Sequence, residues 1–174
     1  MKKPIIIAIV GESGSGKTTL SFHLADKHNI PFICSYTTRP IREGEINGRD
    51  HWFVDICALT PSSQLAYTNF GGYQYWTLVS QVDQCEVCSY VIDEKGLIDL
   101  MSRWSDKYEI LPVYINRPNR KDIAVDRKNR DGERVVLNED QYAIIINNTQ
   151  DLDTFLTQSS TIILSHLKQM QNGN

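Results

Sequence analysis

The run Ile5-Ile6-Ile7-Ala8-Ile9-Val10 is apolar at every position and stops at Gly11-Glu12-Ser13-Gly14-Ser15-Gly16-Lys17-Thr18. A strand with no polar face belongs inside a parallel sheet covered by helices on both sides. The eight residues after it have the form G-x-x-x-x-G-K-[ST]. Thr19-Leu20-Ser21-Phe22-His23-Leu24-Ala25 then reads as a helix with Leu20 and Leu24 on one face. In a strand–loop–helix of this kind, backbone N–H groups ring a phosphate and the positive helix end lies beneath it. Lys17 then reaches the β- and γ-phosphates, and the Thr18 hydroxyl holds Mg²⁺. Gly11 to Thr19 is therefore the expected phosphate loop of a nucleoside-triphosphate-binding protein.

The rest of the chain repeats the strand–helix alternation. After a helix from about Gly16 to His28, the pattern predicts a short strand Phe32-Ile33-Cys34 and a strand Tyr90-Val91-Ile92. A helix over Gly96–Met101, a strand over Ile110–Ile115, a last strand Ala143–Ile146 and an amphipathic helix over Leu152–Met170 follow. From Ser35 to roughly Ser80 the pattern changes to Gly, Thr, Tyr and Arg with short alternating pieces such as His51-Trp52-Phe53-Val54. This reads as a small β-rich lobe inserted in an α/β fold. At 174 residues the chain fits one domain: a P-loop three-layer α/β/α unit with a parallel sheet.

Charge narrows the choice of partner. The net charge is −3, yet Arg117 to Arg134 holds seven basic and four acidic residues, a local +3 that leaves −6 elsewhere. A basic island on an acidic chain suits a local anion site and argues against a nucleic-acid surface. The apolar run behind Met1-Lys2-Lys3 is too short for a signal peptide, and no stretch is long enough to span a bilayer. The expectation is a cytoplasmic protein with no membrane partner, in which Cys34, Cys57, Cys85 and Cys88 are reduced thiols. Cys85-x-x-Cys88 lacks a second pair at zinc spacing and reads as two ordinary thiols.

A second segment, Ser35-Tyr36-Thr37-Thr38-Arg39-Pro40-Ile41-Arg42-Glu43-Gly44-Glu45-Ile46-Asn47-Gly48-Arg49-Asp50-His51-Trp52-Phe53-Val54, carries two guanidinium groups three residues apart among hydroxyls. Such a set suits a second phosphate, because arginine forks match phosphate oxygens two at a time. The segment resembles the guanylate kinase signature S-x-T-T-R-x-x-R-x-G-E-x-x-G-x-x-Y-x-F-V, with His51 replacing the tyrosine. Phe70-Gly71-Gly72-Tyr73-Gln74-Tyr75, Ile92-Asp93-x-x-Gly96 and Ile144-Ile145-Ile146-Asn147 resemble further stretches of that family.

The resemblance implies phosphoryl transfer from ATP, with Mg²⁺, to a nucleoside monophosphate such as GMP. It implies ATP binding by Gly11, Glu12, Ser13, Gly14, Ser15, Gly16, Lys17, Thr18, Thr19 and Asn147. The acceptor would be held by Ser35, Arg39, Arg42, Glu45, His51, Tyr75, Thr77 and Asp93, and Mg²⁺ by Thr18 and Asp93. Lys17, Arg39, Arg42 and the lid arginines Arg127 and Arg130 form the implied catalytic set, with Arg134 a third lid candidate. The matching partition is a core of 1–34, 81–116 and 143–170, an acceptor lobe of 35–80 and a lid of about 117–142. A homodimer is compatible with this reading.

The family pattern is broken at four places. Ala66 stands where the family has a guanine-reading glutamate, and a methyl group cannot accept the N1–H and N2–H bonds of guanine. His51 replaces a phosphate-binding tyrosine and would donate best when protonated. Val91 replaces the first acid of a D-x-D pair, leaving Asp93. The lid is short, with sixteen residues between Arg130 and Asn147. Thr77 keeps the hydroxyl used toward guanine O6. Two other readings stay open on sequence alone: a kinase of this fold acting on another phosphorylated small molecule such as a sugar bisphosphate, and a non-catalytic interaction module. Lys17 and Thr18 weigh against the module.

Overall fold

The strand β1 (Ile5–Gly11) is buried at all seven positions. In the computed structural model, which describes residues 2–55, 63–119, 132 and 134–172, it lies between two parallel neighbours. These are β6 (Val87–Val91) and β7 (Glu109–Asn116), and β8 (Ile144–Asn147) extends the sheet beyond β7 in the order β6-β1-β7-β8, all parallel. Alternation along β1 divides the core into two layers. Ile5, Ile7 and Ile9 pack with Leu20 and Leu24 of α1 (Lys17–His28) and with Phe155, Ile163 and Leu167 of the closing helix α4 (Leu152–Asn172). Ile6, Ala8 and Val10 face the other way, onto Leu97 and Leu100 of α3 (Glu94–Trp104). Each fully buried Ile or Leu contributes about 1.5–3 kcal/mol, so β1 anchors both layers at once.

The expected three-layer α/β/α core with a parallel sheet is what the chain forms. One local expectation needs correction, and one element is new. Phe32-Ile33-Cys34 is not a strand, for only Phe32 bridges to Ser89. A short helix, α2 (Val79–Val82), had no signal of its own in the sequence.

A second sheet holds the inserted region, in the order β3-β2-β5-β4. It is built from β2 (Tyr36–Thr37), β3 (Trp52–Phe53), β4 (Gln64–Phe70) and β5 (Tyr73–Leu78). The stacked rings of Tyr36 and Trp76, 5.7 Å apart and 12° from parallel, brace β2 against β5. Side chains of α3 and its cap tie this sheet to the core. Arg103 Nη2 donates to the Gln64 carbonyl at 2.6 Å, Asp99 Oδ2 accepts from the Tyr67 amide at 3.2 Å, and Thr68 Oγ1 donates to Asp93 Oδ2 at 3.1 Å.

The start of α3 explains the Ile92-Asp93-x-x-Gly96 pattern physically. Asp93 caps the helix, its Oδ1 accepting the Gly96 amide at 2.7 Å. A Cβ at Gly96 would come within 2.6 Å of the Ile92 side chain, so the helix reaches the strand closely only with glycine there.

Candidate active site

Three glycines shape the loop between β1 and α1. Gly11, Gly14 and Gly16 have φ of 152°, 73° and 107°, which side chains rarely adopt. A Cβ on Gly11 would also sit 2.5 Å from the Ile115 carbonyl of β7, so the loop passes too close to the sheet for any larger residue. Lys17 opens α1 and folds back, its Nζ donating to the carbonyls of Gly11 at 2.6 Å and Glu12 at 2.8 Å. Ser15 is buried inside the loop, and its amide donates to the Glu12 carbonyl at 3.1 Å.

Two cavities meet at this loop. The larger, about 550 Å³, runs from Gly14, Gly16, Lys17, Thr18 and Thr19 to Arg117 after β7 and to Asn148, Thr149, Gln150 and Phe155. Arg117 Nη1 donates to the Gly14 carbonyl at 2.8 Å and Asn148 Nδ2 to the Ser15 carbonyl at 2.9 Å, so both brace the loop from opposite sides. Asn147, expected here, lies elsewhere. At the end of β8 it faces a separate cavity beside Glu12 and Tyr142, where its Oδ1 accepts from Asn116 Nδ2 at 3.0 Å. Side chains alternate at the strand end, and Asn148 rather than Asn147 is the one that contacts the loop.

The second cavity, about 260 Å³, shares Gly14, Lys17 and Thr18 with the first and opens onto the small sheet. Gly11, Ser13, Ser35, Arg39, Arg42, Glu45, His51, Tyr75 and Asp93 line it, so most acceptor-site expectations fall together here. Thr68, Phe70, Tyr90 and Arg134 also line it. Thr77 does not. It is fully buried, paired in register with Ala66 and beside the Tyr90 hydroxyl. Burial pushes that hydroxyl's pKa up and keeps it a neutral donor.

Arg39 is 4% exposed and forks onto Glu45, with Nη2 to Oε1 at 2.8 Å and Nη1 to Oε2 at 2.9 Å. Glu45 Oε2 also accepts the Arg42 amide at 2.8 Å. Burial alone would raise the Glu45 pKa; the Arg39 fork and the Arg42 amide outweigh it and hold the group below its ordinary value. Glu45 therefore fixes the Arg39 guanidinium and the Arg42 backbone. His51, expected to donate best when protonated, sits where protonation is disfavoured. Burial, then the adjacent Arg39 charge, push its pKa down to about 4, so it is neutral near pH 7. Its Nδ1 lies 2.8 Å from Ser35 Oγ, which ties the imidazole to that hydroxyl.

Asp93 shares its oxygens between the Gly96 amide and the Thr68 hydroxyl, and burial raises its pKa. Among the described residues, no three His, Cys, Asp or Glu side chains gather as a metal cage. Cys34, Cys85 and Cys88 are free thiols, and burial pushes Cys88 up to about 12, so neither half of the C-x-x-C pair is set up as a reactive thiolate. The lid candidates Arg127 and Arg130, and Cys57, lie outside the described residues. Among the described residues, no helix is long and apolar enough to cross a membrane.

Residues 1–170 match the family model described as guanylate kinase. The chain belongs to the guanylate kinase family. It is 24% identical to the guanylate kinase of Wolbachia pipientis wMel over 181 aligned positions, which cover 91% of this chain and 89% of that protein. It is 25% identical to the guanylate kinase of Wigglesworthia glossinidia brevipalpis, with 99% and 93% covered, and 28% identical to that of Ehrlichia chaffeensis, with 78% and 68% covered. The crystal structure of guanylate kinase from Anaplasma phagocytophilum shares the fold, with a TM-score of 0.65 at 20% identity over 95% of this chain and 88% of that one.

Asn148, Tyr90 and Thr68 line the two cavities of this guanylate-kinase-family chain without having been singled out by any motif, and Arg134, a lid candidate in the sequence, lines the acceptor cavity. Tyr90 sits one position before the end of β6, where it is almost fully buried and lines the acceptor cavity.

Proposed function

We propose that the protein transfers the γ-phosphoryl group of ATP to a nucleoside monophosphate, GMP or a close relative. One observation carries the reading: the donor and acceptor cavities share Gly14, Lys17 and Thr18, so two bound phosphates would meet at one lysine. Phosphoryl transfer asks for little covalent chemistry. It needs two polyanions in line and fixed positive charge where negative charge develops.

In this reading Gly11 to Thr19 cradle the triphosphate, Arg117 and Asn148 hold the loop, and Lys17 crosses from donor to acceptor. Arg39 and Arg42 hold the acceptor phosphate, with Ser35 and Tyr75 adding hydroxyls. Residues 35–80 act as the acceptor lobe and about 117–142 as the lid, in which Arg127 and Arg130 are the candidate closing charges. Mg²⁺ fits the hard oxygen donors present, the Thr18 hydroxyl and the Asp93 carboxylate, because such sites complete themselves with phosphate oxygens and water. When bound, it would neutralise charge on the transferring phosphate. The free thiols fit a reducing compartment, and we place the protein in the cytoplasm.

A coupled ADP-release assay with Mg-ATP across the ribo- and deoxynucleoside monophosphates tests the reading. Turnover with GMP or another purine monophosphate is expected. Mg-ATP binding without turnover on any monophosphate would contradict it.

A further inference from the structure

Glu94 and Arg134 stand 40 positions apart in the chain, yet their side chains meet with 6% and 9% of their surface exposed. Arg134 Nε donates to Glu94 Oε2 at 3.0 Å and Nη2 to Oε1 at 2.5 Å, while Nη1 donates to the Gly11 carbonyl. A buried ion pair of this kind is a weak way to gain stability, since two well-packed apolar side chains do as well. Its position suggests another role.

Lys17 Nζ donates to the same Gly11 carbonyl, so two cations converge on one oxygen at the mouth of the phosphate loop. Like charges so close repel, and in a half-buried setting the repulsion is not screened away. The Glu94 carboxylate offsets it on the Arg134 side. It also fixes the plane of the guanidinium through two of its three nitrogens and directs the third at the loop. Glu94 is the first residue of α3. It follows Asp93, the cap of α3, which also accepts from Thr68 of the acceptor sheet. The start of α3 and its cap thus register the acceptor sheet through Asp93 and, through Glu94, an arginine held against the phosphate loop.

We propose that Glu94 is a positioning residue for phosphoryl transfer: it aims Arg134 into the space shared by the acceptor cavity and the phosphate loop. The inference rests on the phosphoryl-transfer reading above. Its consequence is that the pair matters to kcat more than to the affinity of either nucleotide, because a guanidinium held beside the loop acts on charge that develops between the two phosphates.

The test compares wild type, Glu94→Gln, Arg134→Lys, Arg134→Met and the double variant Glu94→Met/Arg134→Met. It measures kcat, KM for Mg-ATP and GMP, and Tm. Glu94→Gln should lower kcat at least about tenfold while either KM moves less than about threefold. The double variant removes both buried charges, so its Tm should stay within a few degrees of wild type while its kcat falls to that of Arg134→Met. A double variant with preserved Tm and near-wild-type kcat would overturn the inference, as would a Glu94→Gln variant that loses Tm alone. Wild-type protein without turnover on any monophosphate would instead sink the transfer reading, so the two failures are told apart by the wild-type control.

Discussion

Arg39 and Glu45 form a two-point ion pair, 2.8 and 2.9 Å long, whose arginine is almost fully buried in the wall of the acceptor cavity. The guanidinium is also held over the Phe53 ring, 5.3 Å from its centre, and donates to the Pro40 carbonyl. An arginine restrained on this many sides is preorganised for an anion, since little side-chain freedom remains to be lost on binding.

The first prediction follows from that pair. Glu45→Gln removes the charge that orders Arg39 and the Arg42 amide, and Arg39→Lys removes the planar fork. Either change should raise KM for the monophosphate by about 10- to 100-fold, the worth of one or two charge-assisted bonds. The affinity for Mg-ATP, measured by calorimetry, should change little, because the donor cavity is lined by other residues. Equal loss of both affinities would contradict the two-cavity account.

His51 yields a prediction about pH. Its folded pKa of about 4 lies below the ordinary 6.5, owing to burial and then to Arg39, with Glu45 and Asp50 pulling the other way. A group depressed in the fold gives stability that is present above pH 6.5 and is lost as pH falls toward 4, where the unfolded chain takes up the proton first. The full loss is about 3 kcal/mol. Denaturant unfolding of wild type and His51→Asn from pH 7 to 4 should show a steeper decline in wild type. Parallel curves would mean that His51 is not held neutral. The same neutrality predicts that KM for the monophosphate is not modulated by His51 between pH 6 and 8.

Base selectivity is the third prediction. Ala66 is 1% exposed and faces Thr77, and the Glu45 carboxylate of the acceptor cavity is already engaged by the Arg39 fork and the Arg42 amide. A guanine edge has two adjacent donors, and leaving each unpaired costs about 1–3 kcal/mol. GMP should therefore be used, with a preference over AMP in kcat/KM of no more than about 100-fold. Ala66→Glu should widen that ratio if the variant folds. A wild-type preference of several orders of magnitude would show that another group reads the base.

Much of this is legible in the amino-acid sequence. The phosphate loop could be read because its glycines, lysine and threonine are required by backbone geometry at one place, the exit of a fully apolar strand. The two-layer core followed from Ile5 to Val10, where every position is apolar and alternate residues must face opposite layers. Side-chain roles decided by packing were less visible. A motif names Asn147, but only the register of β8 shows that Asn148 faces the loop. An ordinary histidine takes up its proton near pH 6.5, and only burial beside Arg39 shows that His51 does so at about pH 4. Glu94 and Arg134 carried no mutual signal, because a contact across 40 residues is set by the fold and not by spacing.

The central claim is that two phosphates meet at Lys17. Incubating γ-labelled Mg-ATP with GMP and following the label tests it most directly. Label should appear in GDP with wild-type protein. It should vanish, with the fold unchanged by circular dichroism, in Lys17→Ala, since loss of such charge stabilisation costs on the order of 3 kcal/mol or more. Label released as free phosphate, or GDP formed at a near-normal rate by Lys17→Ala, would contradict the account.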